Sequence, residues 1–364
     1  MNVAIINCFD TYEQRVDLVY NFFINRGDIV RIYASDYKHI EKVYLKDKKK
    51  DYVYINVVPY KKNISVKRLY SHYRFSKDVF DRLDRQNLDL IWLLVPPNSL
   101  VKQAAILKKK KPSIKIIADI IDMWPETIPI RWVKNNPTLE LWKIIRNRYI
   151  SQADYIITEC DLYKKELMKI NVANKIKTVY LAREVKEFNY VNRLSDSVVS
   201  LCYLGSINNI IDINSIGKLI KIISKSKSVV LHIIGDGERR NMLIDEAEVS
   251  GAKVLYYGII YDKSVKKKIF EQCHFGLNFM KQEVFVGLTM KSIDYFEAGL
   301  PIINNIHGDT WNIVKDRFCG LNFDSNFSYL YKNEFRVNSR DFFEECLSVD
   351  SFEREVNKVI QKIM

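Results

Sequence analysis

Two doubly wound α/β domains are the fold this sequence predicts, and three observations predict it. Short apolar runs alternate with amphipathic helical stretches along the chain. The runs are apolar at nearly every position rather than every second one, the pattern of strands buried on both faces of a parallel sheet. A polar stretch at 183–197, REVKEFNYVNRLSDS, interrupts the alternation, and the pattern then restarts. A length of 364 residues also exceeds what one ordinary core organises.

The elements follow in order. VAIINCF (3–9) reads as a buried strand, and residues 16–27 as a helix that stops at Gly27. Strands are expected at 28–35 and 53–60, a basic helix at 65–83 and a strand at 88–95. VKQAAILKKKK is helical, 114–122 a strand, TLELWKIIRNRYISQA a helix, 154–160 a strand, DLYKKELMKI a helix and KTVYLA a strand. After the polar linker, strands are expected at 198–207, 229–237, 253–260, 275–280 and 301–306, with helices between them. The tail, 341–364, is helical, and in two-lobed folds such a tail crosses back over the first domain.

Composition narrows the class. With 48% hydrophobic and 28% charged residues the chain is globular. A net charge of +13 favours an anionic partner: nucleic acid, an acidic membrane face or phosphorylated substrates. The cysteines form no CxxC pair and several fall in apolar runs, which suits a reduced, cytosolic chain. No HxxH or HExxH spacing occurs, so no metal site is expected. The opening MNVAIINCF lacks the basic region of a secretory signal, and no apolar run approaches the ~18 residues of a membrane span.

The most informative stretch is 285–305, FVGLTMKSIDYFEAGLPIINN. It reads as a loop with Gly287, a short helix with Lys291 and Asp294 on one face, a stop at Gly299-Leu300-Pro301, then a buried strand. A helix start and a lysine suit phosphates, and a carboxylate suits ribose hydroxyls. The same pair also reads as a surface ion pair on an ordinary amphipathic helix. LGSIN (204–208) places Gly205 and Ser206 where a strand ends, either as phosphate-facing amides or as a βα turn that merely needs glycine. IIGDGERRNML (233–243), with Gly235 and Gly237, has the same geometry without being a G-x-G-x-x-G fingerprint. The chain has no P-loop, no D-x-D and no G-x-S-x-G elbow.

ADIIDMWPE (118–126) sets Asp119, Asp122 and Glu126 at the carboxyl end of a strand, where acids face the ligand crevice or, for Asp122, cap the next turn. Residues 128–150 interleave Trp132 and Trp142 with Arg131, Lys143, Arg146 and Arg148, and 108–115 and 67–74 add charge in the same half. Such a stretch suits a membrane interface, or equally a helix packed by its tryptophans with a solvated basic face.

Taken in order, the acids of DMWPE, then YLGSI, IIGDGE, YYGIIYD, a Lys-x-x-acid helix, EAGLPII and GDTWNIV (308–314) resemble family 4 glycosyltransferases of the GT-B fold, of the bacterial capsule and exopolysaccharide type. The resemblance implies two Rossmann-like domains facing a central cleft. It implies an acceptor domain at 1–182, a linker at 183–197, a donor domain at 198–340 and C-terminal helices at 341–364. It also implies retaining, metal-independent transfer of a sugar from a nucleotide sugar, UDP- or GDP-linked, with no other cofactor. The acceptor would be a glycan or an undecaprenyl-diphosphate-linked glycan. The enzyme would work in the cytoplasm, peripherally on the anionic inner face of the membrane, without nucleic acid. Lys291 would neutralise the diphosphate and Asp294 hold the ribose, and Gly205, Ser206, Gly235, Tyr261, Gly287 and Leu288 would complete the donor side. Asp122 would lie on the acceptor side and share the catalytic role with Lys291.

Three departures stand out. Val286 occupies the place of the first acid of the E-x7-E pair, with Glu283 close by; Ser206 and Asp212 stand where the family has Arg or Lys; and NCFDTYEQR replaces a Gly-Gly loop. Two other readings compete. A nucleotide-sugar epimerase of the same fold would need a carboxylate and histidine set around the sugar. A basic, non-catalytic nucleic-acid-binding protein would need a basic stripe with stacking aromatics.

Overall fold

The computed structural model describes residues 1–63, 65–128, 137–188 and 194–364. The chain forms two compact units, one of Met1–Ala182 with Phe352–Met364 and one of Arg183–Ser351.

The first unit runs β1 (Asn2–Asn7), α1 (Glu13–Asn25), β2 (Ile29–Ser35), β3 (Tyr37–Lys38), β4 (Val43–Tyr44), β5 (Tyr52–Ile55), α2 (Val66–Leu83), β6 (Leu90–Val95), α3 (Ser99–Lys110), β7 (Lys115–Ile120), α4 (Pro137–Tyr149), β8 (Tyr155–Thr158), α5 (Asp161–Met168) and β9 (Ile176–Thr178). Its sheet has seven strands in the order β5-β2-β1-β6-β7-β8-β9, all parallel. The continuous apolar runs do what that pattern requires: β6, LIWLLV, is buried at every position. Trp92 of β6 lies in a core with Val16 and Phe23 of α1 and Ile5 of β1. The expected strand at 53–60 ends at Ile55, because Val57 N donates to the Asp36 side chain instead of continuing the ladder. The β3–β4 hairpin was not signalled by any periodicity, since each strand has two residues.

The second unit runs β10 (Val198–Leu204), α6 (Ile213–Ser224), β11 (Ser228–Ile234), α7 (Arg240–Val249), β12 (Ala252–Tyr256), α8 (Lys263–Glu271), β13 (Phe275–Asn278), α9 (Met290–Glu297), β14 (Ile302–Asn304), α10 (Asp309–Arg317), β15 (Gly320–Asn322) and α11 (Glu334–Cys346). Its six strands are ordered β12-β11-β10-β13-β14-β15, again parallel. Side-chain caps start several helices: Asp212 accepts Ser215 N before α6, and Asp262 accepts Ser264 N before α8. The last helix, α12 (Val349–Ile363), has its apolar stripe of Phe352, Val356, Val359, Ile360 and Ile363 in the first unit's core.

In each sheet the strand order reverses beside the first strand, between β1 and β6 in one and between β10 and β13 in the other. The loops at the carboxyl ends of those strands are where open α/β sheets hold ligands.

Candidate functional site

At the second unit's reversal point, helix α9 is held by a row of asparagines, of which Asn278 and Asn304 are buried. Asn278, Asn304 and Asn322 sit in register at the carboxyl ends of β13, β14 and β15. Asn278 Nδ2 donates to Asn304 Oδ1 at 2.9 Å, and Asn304 Nδ2 to Asn322 Oδ1 at 3.0 Å. Thr289 joins the row through Oγ1, which donates to Asn278 Oδ1 at 2.9 Å, and the same oxygen caps α9 by accepting Ser292 N. Every buried amide in the row is thus satisfied by a neighbour, and the helix start is fixed to the strand ends. Sequence reasoning missed this row. Its only trace is an asparagine closing each of GLN, PIIN and GLN.

Lys291 lies in the first turn of α9, half-buried. Its ammonium is 4.4 Å from the centre of the Tyr203 ring and donates to Tyr203 Oη at 3.5 Å, and Tyr203 Oη donates to Ser206 O at 2.8 Å. The structure therefore brings Lys291 and Ser206 together through a tyrosine that sequence reasoning passed over. Among the described residues no carboxylate lies within 4.0 Å of Lys291. Burial lowers its pKa to about 8.

The two glycine turns are laced to each other. Gly205 N donates to Ile234 O, and Ile207 N to Asp236 O, each at 2.9 Å. A Cβ on Gly235 would lie 2.0 Å from Gly205 O, and one on Gly237 2.3 Å from Ile207 O. Gly235 serves this close backbone approach, and the Gly205 amide is committed to it. The exposed Ser206 is the member of LGSIN that faces solvent.

Asp294, one turn beyond Lys291, is bonded to Arg183, which also reaches Glu297 Oε2 at 2.8 Å. Arg183 opens the polar stretch read as a linker, and nothing in its sequence context marks it. Beside this ion pair is a cavity of about 320 Å³, its walls including Phe188, Lys263, Lys267, Phe270, Asp294 and Glu297. Gly287 is buried, and its carbonyl accepts both Thr310 N at 3.1 Å and Thr310 Oγ1 at 2.6 Å. Leu288 is half-buried next to it, whereas Tyr261 is 86% exposed. Asp212 caps α6, and its other oxygen accepts Asn305 Nδ2 at 3.1 Å.

In the first unit Asp122 follows β7, and both its oxygens are engaged. Oδ2 accepts Trp124 Nε1 at 2.8 Å and Oδ1 accepts Thr127 Oγ1 at 2.5 Å, so the side chain caps the turn that follows. Burial raises its pKa, against these hydrogen bonds and the Arg68 charge. Glu159, just past β8, is pushed up to about 8 by burial and the Asp119 and Asp122 charges. Asp119 is not a crevice acid: it is fully buried and holds Arg15 at 2.8 Å and Trp92 Nε1 at 2.9 Å.

The basic, tryptophan-bearing segment is also partly internal. Glu126 takes Arg146 through both guanidinium arms, at 2.7 and 2.9 Å, and Arg146 is 1% exposed. Trp142 is buried, Lys108 pairs with Asp154 at 2.9 Å, and Lys111 donates to backbone carbonyls at 84 and 86. Trp142, Arg146 and Lys108 thus serve packing, not an interface: a planar guanidinium between helix and loop acids is worth most where water is excluded. Trp132 and Arg131 lie outside the described residues. Among the described residues no helix is long and apolar enough to cross a membrane, and no cluster of acids, histidines and cysteines is placed to hold a metal.

No protein-family model matches the chain, and no curated protein does. Solved structures do. A lipopolysaccharide outer core galactosyltransferase, WaaB, superposes over 100% of both chains with a TM-score of 0.72 at 16% identity. Sucrose-phosphate synthase from Thermosynechococcus elongatus does so over 100% of this chain and 99% of its own, with a TM-score of 0.72 at 12% identity. Anabaena HepE, solved in complex with UDP-glucose, covers 100% of both chains with a TM-score of 0.63 at 10% identity. At such identities the likeness carries architecture and not chemistry. The chain has the GT-B fold of these glycosyltransferase structures.

Proposed function

We propose that the chain is a glycosyltransferase that moves a sugar from a nucleotide-sugar donor to a glycan or lipid-linked glycan, with retention and without a metal, in surface-polysaccharide synthesis. The observation that carries this reading is Lys291. It is a half-buried ammonium at a helix start, on the carboxyl side of a reversal point, with no carboxylate within 4.0 Å among the described residues. Such a cation lacks an anion, and a donor diphosphate is one.

The donor lies along α9 in this reading. The diphosphate meets Lys291 and the first amides of the helix near Ser206. The ribose takes the oxygen of Asp294 that Arg183 leaves, and the base enters the cavity flanked by Phe188 and Phe270. Cleavage of the glycosyl–phosphate bond builds negative charge on the leaving diphosphate, which Lys291 and the helix amides stabilise. The leaving phosphate oxygen then accepts the acceptor's proton, and no separate protein base is required. The HepE complex with UDP-glucose supports a nucleotide sugar as ligand, and the WaaB likeness supports a surface glycan as product.

The membrane face of this reading differs from the one expected. Neighbouring helices α2, α3 and α4 expose Tyr70 and Tyr73, Ile106, and Leu141 and Ile144. The exposed Lys77, Lys109 and Arg148 stand among them. Apolar side chains interleaved with cations suit peripheral, reversible attachment to an anionic cytoplasmic leaflet. The deciding experiment is slow release of free sugar from UDP- and GDP-sugars by the purified chain. Absence of both release and nucleotide binding would sink the assignment.

A further inference from the structure

Among the described residues, the first unit holds a second set of cations with no carboxylate within 4.0 Å. Arg68, in the first turn of α2, is 3% exposed, and its guanidinium lies 3.9 Å from the centre of the Trp124 ring. It donates to Asn63 O at 2.5 Å and contacts His72 Nε2 at 3.4 Å. Arg15 and Arg146, equally buried, each grip a carboxylate, whereas Arg68 has none within 4.0 Å among the described residues. Asp122 acts on it only through space, and its direct neighbours are aromatic, imidazole and backbone groups, so this buried guanidinium has no ion pair.

Beside it lies a groove of about 380 Å³ whose lining includes Tyr37, Lys42, Tyr60, Lys61, Lys62 and Lys67. Its floor is rigid. Tyr37 Oη donates to Tyr60 O at 2.7 Å, and His39 Nδ1 meets Tyr60 Oη at 2.8 Å. Lys42 stands 4.9 Å over the Tyr60 ring at φ +60°, a left-handed conformation that a lysine adopts at some cost. The nearby carboxylates are committed elsewhere: Glu41 holds Lys38 at 2.8 Å, Asp10 takes His39 N at 2.7 Å, and Asp36 takes Val57 N and Asn56 Nδ2. Among the described residues the groove's four lysines therefore have no carboxylate within 4.0 Å, with Asp10 acting on Lys42 only through space, and Arg68 lies behind Tyr60 at 5.7 Å from its ring centre.

We propose that this groove is an anion site that receives the phosphate or diphosphate group of a ligand of the first unit, either free or at the head of a lipid. A single carboxylate would engage one or two of these cations, whereas a diphosphate has oxygens enough to meet several at once. The start of α2, capped by Ser65, adds its partial positive charge on the same side. The inference concerns a site other than the donor site and does not rest on it.

The test is titration calorimetry with inorganic pyrophosphate at low salt, in a Lys291→Ala chain so that the second unit's lysine plays no part. Pyrophosphate should bind, and adding Lys61→Gln, Lys62→Gln and Lys67→Gln should weaken binding about tenfold or more, as loss of three rim charges implies. These lysines are exposed, so the melting temperature of the triple variant should be unchanged. Phosphatidylcholine vesicles carrying farnesyl diphosphate distinguish the sources. Capture of the chain on them, lost in the triple variant, identifies a lipid head, and binding of pyrophosphate alone identifies a soluble ligand. Equal pyrophosphate affinity with and without the three lysines, or no binding of pyrophosphate and vesicles by the Lys291→Ala chain, would overturn the proposal. Either failure leaves the donor reading untouched, because Lys291 is absent throughout.

Discussion

Replacing Lys291 by methionine keeps the volume against Tyr203 and removes only the charge, and the structure sets how much UDP binding should suffer. One ammonium and one phosphate charge about 4 Å apart attract by ~4 kcal/mol at the effective dielectric of a protein surface. Desolvation takes part of this back, and hydrogen bonds to charged groups contribute a net ~1.5–3 kcal/mol. The expected loss is therefore roughly 10- to 150-fold in Kd. The pH profile makes the test specific. The unliganded Lys291 has a pKa lowered to about 8 by burial. It is charged in roughly nine molecules of ten at pH 7 and about one in ten at pH 9. UDP is already about nine-tenths ionised at pH 7 and gains little charge by pH 9, since a phosphate's second pKa is about 6. Burial pushes the adjacent Tyr203 hydroxyl upward, so it stays neutral there. Calorimetry should then show UDP binding weakening about tenfold from pH 7 to pH 9 in the parent chain and staying flat in Lys291→Met. An unchanged Kd at pH 7 together with the same pH slope in both chains would remove Lys291 from the donor site.

Three further outcomes are expected. Gly235→Ala forces a Cβ within 2.0 Å of Gly205 O at φ +139°, so thermal unfolding should show a loss of about 3 kcal/mol or more, or no soluble protein; a melt within 1 °C of the parent would contradict the close approach. Asp122→Asn turns an amide toward one of two donors, Trp124 Nε1 or Thr127 Oγ1, and should cost about 1–3 kcal/mol by denaturant titration. Normal donor hydrolysis with transfer lost in the folded variant would give Asp122 an acceptor role beyond capping. Arg146→Ala leaves Glu126 buried with only Lys143 at 3.4 Å and should cost about 3–5 kcal/mol, whereas Arg148→Glu should leave the melt unchanged and weaken sedimentation with phosphatidylglycerol vesicles.

The repeating layout was legible because each part of it is local. Apolar strands such as LIWLLV and the amphipathic helical stretches between them, such as the one from residue 65 to 83, are properties of a few consecutive residues. What could not be read depends on residues far apart in sequence. Arg15 meets Asp119 across 104 positions, and Arg183 meets Asp294 across 111. A charge bound for a buried pair and a charge bound for solvent have the same letter and the same neighbours, so Arg146 in a basic helix looks like surface. Lys291 was legible as a helix-start cation, but its isolation from carboxylates was not. The sequence places Asp294 three residues away as its obvious partner, and the structure gives that acid to Arg183.

That reassignment bears on the charge surplus itself. A net +13 says nothing about where positive charge is needed, and the ion pairs divide the cations into two sets. Arg15, Arg146 and Arg183, deep in the fold, are each matched by acids and hold elements together. Lys291 in one unit and Arg68 with Lys42 in the other are at least half-buried and have no carboxylate within 4.0 Å among the described residues, although acids stand close enough in sequence to have supplied one. Partly desolvated charge without a partner lowers the stability of the folded chain and gives nothing back until an anion arrives. A bound anion restores it as ligand linkage, about 2.7 kcal/mol at a concentration 100 times Kd. Such positions are therefore where the fold itself points to ligands. A dispersed surplus of solvated lysines, by contrast, would cost nothing and would point nowhere.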